Sequence, residues 1–249
     1  SDIKFITERI TETLGDLYGM HWPYKQHKTS RNVKLLPYHE DLKKAGACFG
    51  AAGGYERPMW YSKNGISEYK YSYNFQNWYP SAELETKNTI QNVGLYELTP
   101  FSKFDLKGDR VYEELQKICT ANIKNDIGKC TYTQMLNSDG GIETDLTVVC
   151  ISDNHYRVIG SAATRERDKF HIKKYINENI ELTDVTDDYV CLGVFGPKSR
   201  ELMREISNED FTNENFRFGC SKNILIENKN IWIQRLSYVG EVGFELYIK

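Results

Sequence analysis

Ile3, Ile6, Ile10 and Leu14 recur at intervals of three and four, which places them on one face of a helix over residues 1–19. The stretch GMHWPYKQHKTSRNVKLLP that follows is polar, basic and unpatterned, a loop or extended arm. A short helix is predicted over 38–45, ending near Gly46. Residues 48–77 are rich in glycine and aromatics and read as irregular backbone with bulky anchors. After Pro80 the pattern predicts a helix with Ser81 as cap and Glu83 and Glu85 in its first turns, closed by Gly94. A strand interrupted by Pro100 follows, and then a helix over 109–119 whose Val111, Leu115 and Ile118 share a face. Residues 132–136 and 142–150 read as strands joined by the Asp139-Gly140-Gly141 turn, the strongest hairpin signal in the chain. A strand over 155–160 and a charged helix over 164–180 come next, with Phe170 and Ile172 as its expected core contacts. A strand over 189–195 leads to a helix opened by Gly196-Pro197, and three strands over 223–227, 231–237 and 244–248 end the chain. Mixed helices and hairpin-linked strands predict an α+β fold with mainly antiparallel sheet.

Composition narrows the possibilities. The 249 residues carry a net charge of −3 and 40% hydrophobic residues, enough for one large or two modest domains. No basic stripe points to nucleic acid, and no window approaches 18 apolar residues, so neither nucleic acid nor membrane is an expected partner. SDIKFITERITETL reads as a charged helical segment rather than a secretory leader. Six scattered cysteines form no CxxC pair and imply free thiols in the cytoplasm, or in the mitochondrial matrix of a eukaryote. His21, His27 and His39 match no zinc spacing, so no metal site is expected. The 17 tyrosines, 11 phenylalanines and four tryptophans suit a flat heterocyclic ligand, and equally an ordinary core.

The richest chemical signal is NSDGGIETDL. Asp145 stands between Ile142 and the β-prone run Thr147–Cys150, and a carboxylate there requires hydrogen-bond partners if buried. It is a candidate for proton handling, with a solvated carboxylate at a strand start as the plain alternative. There is no GxGxxG, no GxxxxGK[ST] and no GxSxG, and Ala51–Gly54 reads as a turn rather than a phosphate cradle. The chain opens without methionine and stops within a strand, as a piece of a larger protein would.

Four ordered stretches resemble the folate-binding aminomethyltransferase fold of the glycine cleavage T-protein: NVGLYELTPFSKFDLKG, CTYTQMLNSDGGIETDLTVV, YVCLGVFGPKSRELM and LSYVGEVGFELYI. The front, from YGMHWPYKQHKTS to GGYERPMWY, is similar to the junction in dimethylglycine and sarcosine dehydrogenases, where a flavin-binding amine-oxidase half precedes a T-protein-like half. The resemblance implies that residues 1–80 are the end of the flavin half and its junction, and that 81–249 are a folate-binding domain truncated at its C-terminal side. The flavin half, in the same or another chain, would hold FAD. The rest of the folate domain and a small β-barrel would follow Lys249.

By the same resemblance Asp145 is the catalytic carboxylate beside the reactive nitrogens of tetrahydrofolate. Tyr132 lines the folate pocket, and Glu241 hydrogen-bonds the pterin ring. A carboxylate suits the pterin because amino and ring N–H groups form a donor pair. His21 and Trp22 would face the flavin or brace the junction. Thr99-Pro100-Phe101 departs from the Ser-His-Met usual in the T-protein, and Val242 stands where an aspartate is common. The implied function is capture of an iminium or formaldehyde unit from a small methylated amine as 5,10-methylenetetrahydrofolate. The alternatives are an aminomethyltransferase or demethylase without flavin chemistry, and a non-catalytic regulatory homologue.

Overall fold

Alternating side chains on three strands in the second half of the chain decide its architecture. In β6 (Ile142–Ser152), Leu146, Val148 and Cys150 point to one face, while Asp145, Thr147 and Val149 point to the other. In β7 (His155–Gly160) and β12 (Gly243–Ile248) the same alternation recurs. Both faces of these strands are covered, which explains the near-continuous apolar run over 146–150.

The computed structural model describes residues 3–65, 67–123 and 126–249. They divide into two compact units, 1–87 and 88–249. The second unit is α+β. One antiparallel sheet has the order β5-β6-β7-β4-β8, with β5 (Cys130–Leu136), β4 (Ser102–Lys107) and β8 (Glu181–Asp184). The other has the order β10-β11-β12-β9-β3, with β10 (Ser221–Ile226), β11 (Lys229–Gln234), β9 (Val190–Phe195) and β3 (Gly94–Glu97). The outer face of the first sheet packs Phe104, Leu146, Val148 and Val158 against Val111 and Leu115 of α4 (Val111–Gln116) and Ile172 of α5 (Arg165–Tyr175). The outer face of the second packs Ile233, Phe244 and Leu246 with Phe211, Phe216 and Met203 of α6 (Ser199–Ile206). Between the sheets lies a third cluster, in which Cys130, Val149 and Ile159 meet Cys191 and Tyr247.

A buried ion pair joins two neighbouring strands of the first sheet. Asp105 of β4 is the cross-strand partner of Arg157 of β7, and the carboxylate accepts two guanidinium hydrogen bonds at 2.6 and 2.9 Å. The guanidinium also lies over the rings of Tyr189 and Trp232. Burial alone would raise the Asp105 pKa, but hydrogen bonds from Arg157 and His155 outweigh it and hold the group well below the usual carboxylate range. Its stabilising contribution is therefore complete above the ordinary value of 3.8 and is lost only as pH falls through the depressed one. Asp105→Asn, which strands a buried guanidinium, is expected to cost about 3–5 kcal/mol in urea unfolding at pH 7, with wild type and variant converging in acid.

The first unit contains α1 (Ile3–Gly15), α2 (His39–Lys44) and a hairpin of β1 (Ala47–Ala52) with β2 (Tyr55–Tyr61). Gly53 and Gly54 both have positive φ, at 59° and 83°, as a two-residue hairpin turn requires. The glycines are thus a turn, but residues 47–61 are regular strands where irregular backbone was expected. ACFGAA lacks the alternation that would have marked a strand. Glu12 of α1 accepts hydrogen bonds from the backbone N–H groups of Lys28 and Thr29, which pins the polar arm to the helix. The α1 stripe of Ile3, Ile6, Ile10 and Leu14 is exposed, and the first two residues of the expected helix lie outside the described residues. Trp22 and Tyr73 place their rings 4.7 Å apart, and Tyr73 donates to the His21 carbonyl at 3.2 Å.

Other expectations shift in detail. The helix predicted over 164–180 is α5, which stops at Tyr175 before an extended Ile176. Its buried face carries Asp168, His171 and Ile172, so Phe170 falls on the solvent side and is not a core contact. The edge strand β8, ELTD, has too few apolar residues to be seen in the sequence. Among the described residues no helix is long and apolar enough to cross a membrane, no His/Cys/Asp/Glu cluster could hold a metal, and all six cysteines are free.

Candidate functional site

The inner faces of the two sheets leave a cavity of about 180 Å³ at one end of the inter-sheet core. It is lined by Tyr132 of β5, Asp145 of β6, Ile159 of β7, Glu245 of β12, and Phe101 and Tyr238 from the adjoining loops, among others. Each polar group is placed by strand alternation. Tyr132 is the cross-strand partner of Thr147, one inward position along from Asp145, so both side chains lean over one mouth. The Tyr132 hydroxyl donates to Asp145 Oδ2 at 2.7 Å. That hydrogen bond to an anionic neighbour raises the Tyr132 pKa and keeps the phenol protonated. Asp145 itself is exposed at the mouth, not enclosed in apolar surroundings as its neighbours in sequence implied. Leu146, Val148 and Cys150, which made those surroundings look apolar, face the opposite side of the sheet.

At the cavity wall stands a carboxylate of different character. Glu245 is only 2% exposed, flanked in sequence by Phe244 and Leu246, which point away into the outer core. Burial raises its pKa, while a 2.8 Å hydrogen bond from Tyr247 and the charge of Lys103 work in the other direction. Above the cavity, the Thr147 and Tyr238 hydroxyls lie 3.3 Å apart.

The structure therefore brings Asp145 and Tyr132 together and leaves Glu241 aside. Glu241 sits half-buried in the glycine turn before β12 and is not among the residues lining the cavity. The glutamate that reaches the cavity is Glu245, four positions later. Glu241, which the resemblance puts on the pterin ring, belongs to the turn that launches β12. Sequence reasoning also passed over Tyr238, Phe101 and Lys103. A signal for Glu245 was present, since a lone carboxylate in FELYI is as anomalous as Asp145.

Two face-to-face antiparallel sheets with helices outside and a cavity at one end of the seam form an aminomethyltransferase-type fold. The solved aminomethyltransferase T of the glycine cleavage system from Bartonella henselae superimposes with a TM-score of 0.71, at 22% identity, over 87% of this chain and 54% of that one. Residues 38–249 match the family model of the GCVT N-terminal domain, and the chain belongs to that family. It is related to the dimethylglycine and sarcosine dehydrogenases. A 4-methylaminobutanoate oxidase (formaldehyde-forming) from Paenarthrobacter nicotinovorans is 37% identical over 98% of this chain and 30% of its own length. The mitochondrial dimethylglycine dehydrogenase of Homo sapiens is 30% identical over 98% of this chain and 29% of its own. The chain thus spans under a third of the length of these relatives.

The cavity's donor set can be tested against a reduced pterin. Pockets that engulf drug-sized ligands run to about 300–1,000 Å³, so this space suits one bicyclic heterocycle with the rest of the ligand outside. Phe101 and Ile159 offer apolar walls, and Glu245 offers an acceptor for a pair of N–H donors. Asp145 lies at the mouth. The residues present fit the group.

Proposed function

We propose that this chain is the tetrahydrofolate-binding, one-carbon-transfer part of a flavin-dependent N-methyl amine dehydrogenase. The carrying observation is the pairing in one cavity of a buried carboxylate, Glu245, with an exposed carboxylate, Asp145, held by Tyr132. The amine is a small methylated one, such as dimethylglycine or sarcosine, oxidised at FAD in a part of the protein outside this chain. The product is 5,10-methylenetetrahydrofolate.

Tetrahydrofolate supplies the nitrogen nucleophiles that accept the carbon unit. The protein's residues do the rest. Glu245 holds the donor edge of the heterocycle and so fixes its rotation in the cavity. Phe101 and Ile159 confine its faces. Asp145 stabilises positive charge at the mouth and accepts the proton released as the carbon–nitrogen bond forms. Tyr132 orients the Asp145 carboxylate by donating to one oxygen, which leaves the other free for that proton.

A ligand that binds only the native state at a hundred times its Kd stabilises by about 2.7 kcal/mol. For a domain of this size that is a rise in Tm of roughly 5–11 °C. Differential scanning calorimetry of the chain with saturating tetrahydrofolate is expected to show it. An unmoved Tm at millimolar ligand would count against folate binding and for a non-catalytic homologue.

A further inference from the structure

Glu143 is the extra residue of a β-bulge. Across the β5–β6 hairpin Met135 pairs with Thr144 and Leu136 with Ile142, which leaves Glu143 without a partner on β5. A bulge bends its strand and re-aims the side chains beside it. Here the next side chain on the cavity side is Asp145, paired with Gln134 of β5. A bulge moved along β6 from Glu143 to Asp145 would make the carboxylate the unpaired residue and take it away from the Tyr132 hydroxyl. The place of the bulge therefore decides where Asp145 points.

The first turn of α5 grips this bulge at two successive residues. Arg167 donates to the Glu143 carbonyl, and the Thr144 hydroxyl donates to Asp168 Oδ2 at 3.2 Å. Asp168 is only 1% exposed, and its Oδ2 also accepts from the Thr164 hydroxyl at 2.6 Å. The Arg167 guanidinium lies 3.8 Å from Asp168 Oδ1, so the two grips share one charge pair. The carboxylate also lies close under the cavity-lining Gly160, where a Cβ would stand 3.1 Å from Ser102 Oγ and 3.4 Å from Asp168 Oδ2. Burying a carboxylate against two hydroxyls costs free energy that an apolar residue on this face of α5 would not. A role in stability alone is therefore a poor reason for Asp168.

Resting on the folate reading above, we infer that Asp168 and Arg167 are positioning residues that fasten the bulge at Glu143 and Thr144 and so hold Asp145 against Tyr132 for one-carbon capture. The pterin contact is independent of them, because Glu245 stands on β12 of the other sheet. The two grips should thus govern the rate of capture and leave tetrahydrofolate affinity alone. A reacting group misplaced by about 1 Å can cost about 10²-fold in rate.

Thr144→Val keeps the branched shape and removes the hydroxyl. Arg167→Met removes the other donor at an exposed position. The double variant frees the bulge while Thr164 still bonds Asp168, so the fold should survive. Thr144→Ser keeps the hydroxyl, and Asp168→Asn keeps an acceptor for it.

The test has two arms. Carbon-13 NMR of the tyrosine-labelled chain, with the Tyr132 phenol carbon assigned by its loss in Tyr132→Phe, reads the Tyr132–Asp145 hydrogen bond without any ligand. Asp145→Ala marks the position of the broken bond. The double variant is expected to move most of the way to that mark, and Thr144→Ser and Asp168→Asn to stay near the native position. In a polypeptide carrying both parts, capture at saturating tetrahydrofolate is expected to slow by about 10–100-fold in the double variant, with tetrahydrofolate Kd and amine oxidation at native values. A native phenol position or a native capture rate in the double variant overturns the inference, as does an equal displacement in Thr144→Ser. A loss of affinity as large as the loss of rate also overturns it, since that marks a cavity that has merely loosened. Wild-type protein that forms no methylenetetrahydrofolate removes the functional reading instead, and the phenol carbon still decides whether α5 sets Asp145.

Discussion

Asp145→Asn is expected to slow one-carbon capture by about 10²–10⁴-fold, the usual contribution of a positioned general base, with amine oxidation unaffected. Asparagine keeps the shape and an acceptor for the Tyr132 hydroxyl, which now donates to Asp145 at 2.7 Å, so the fold and the mouth of the cavity should survive. What disappears is the negative charge and the capacity to take a proton. Oxidation of the amine belongs to the flavin part of the proposed enzyme, outside this chain. The iminium it forms should then hydrolyse, and free formaldehyde should accumulate. The assay is the ratio of methylenetetrahydrofolate to formaldehyde per amine oxidised, in a polypeptide carrying both parts and saturated with folate. A native ratio and capture rate in the variant would remove Asp145 from the chemistry.

Glu245→Gln carries the second large effect. The substitution preserves size but replaces an acceptor with a donor, setting it against the donor edge of the heterocycle. Hydrogen bonds to charged groups contribute about 1.5–3 kcal/mol, so tetrahydrofolate affinity should fall by about one to two orders of magnitude. Because Glu245 is buried and already costs free energy to ionise, neutralising it should not harm the fold. Glu241→Gln is the matched control, since that glutamate does not line the cavity. Calorimetric titration of both variants should show a loss confined to Glu245→Gln. A loss confined to Glu241→Gln would restore the earlier assignment.

Strand alternation and turn chemistry made much of the fold legible. The Asp139-Gly140-Gly141 turn marked the β5–β6 hairpin because Gly140 adopts the positive φ such a turn needs and Asn137 caps it, accepting from the Asp139 and Gly141 N–H groups. The β1–β2 hairpin was hidden because its strands carry alanine, glycine, proline and charged residues, so no clean apolar alternation marks them. Phe170 was misplaced because a helix buries one stripe, and in α5 that stripe runs through Asp168 and His171, residues that look solvent-seeking in sequence.

The candidate site was half legible for a related reason. Asp145 and Tyr132, both named through the resemblance, are on neighbouring strands of one hairpin, so the hairpin alone brings them together. Glu245 comes from the other sheet, and only the packing of two inner faces brings it to the same cavity. Between two glutamates four residues apart, the exposed glycine turn drew attention and the strand did not. Lys103 had no local signal at all, because its partners are main-chain carbonyls.

The most direct test of the account is a crystal structure of the chain with tetrahydrofolate. The heterocycle should lie between Phe101 and Ile159, with its donor edge about 2.7–3.2 Å from the Glu245 carboxylate and its one-carbon-accepting nitrogens facing Asp145. A heterocycle seated against Glu241, or a cavity between Tyr132 and Glu245 left without ligand at saturating concentration, would contradict it.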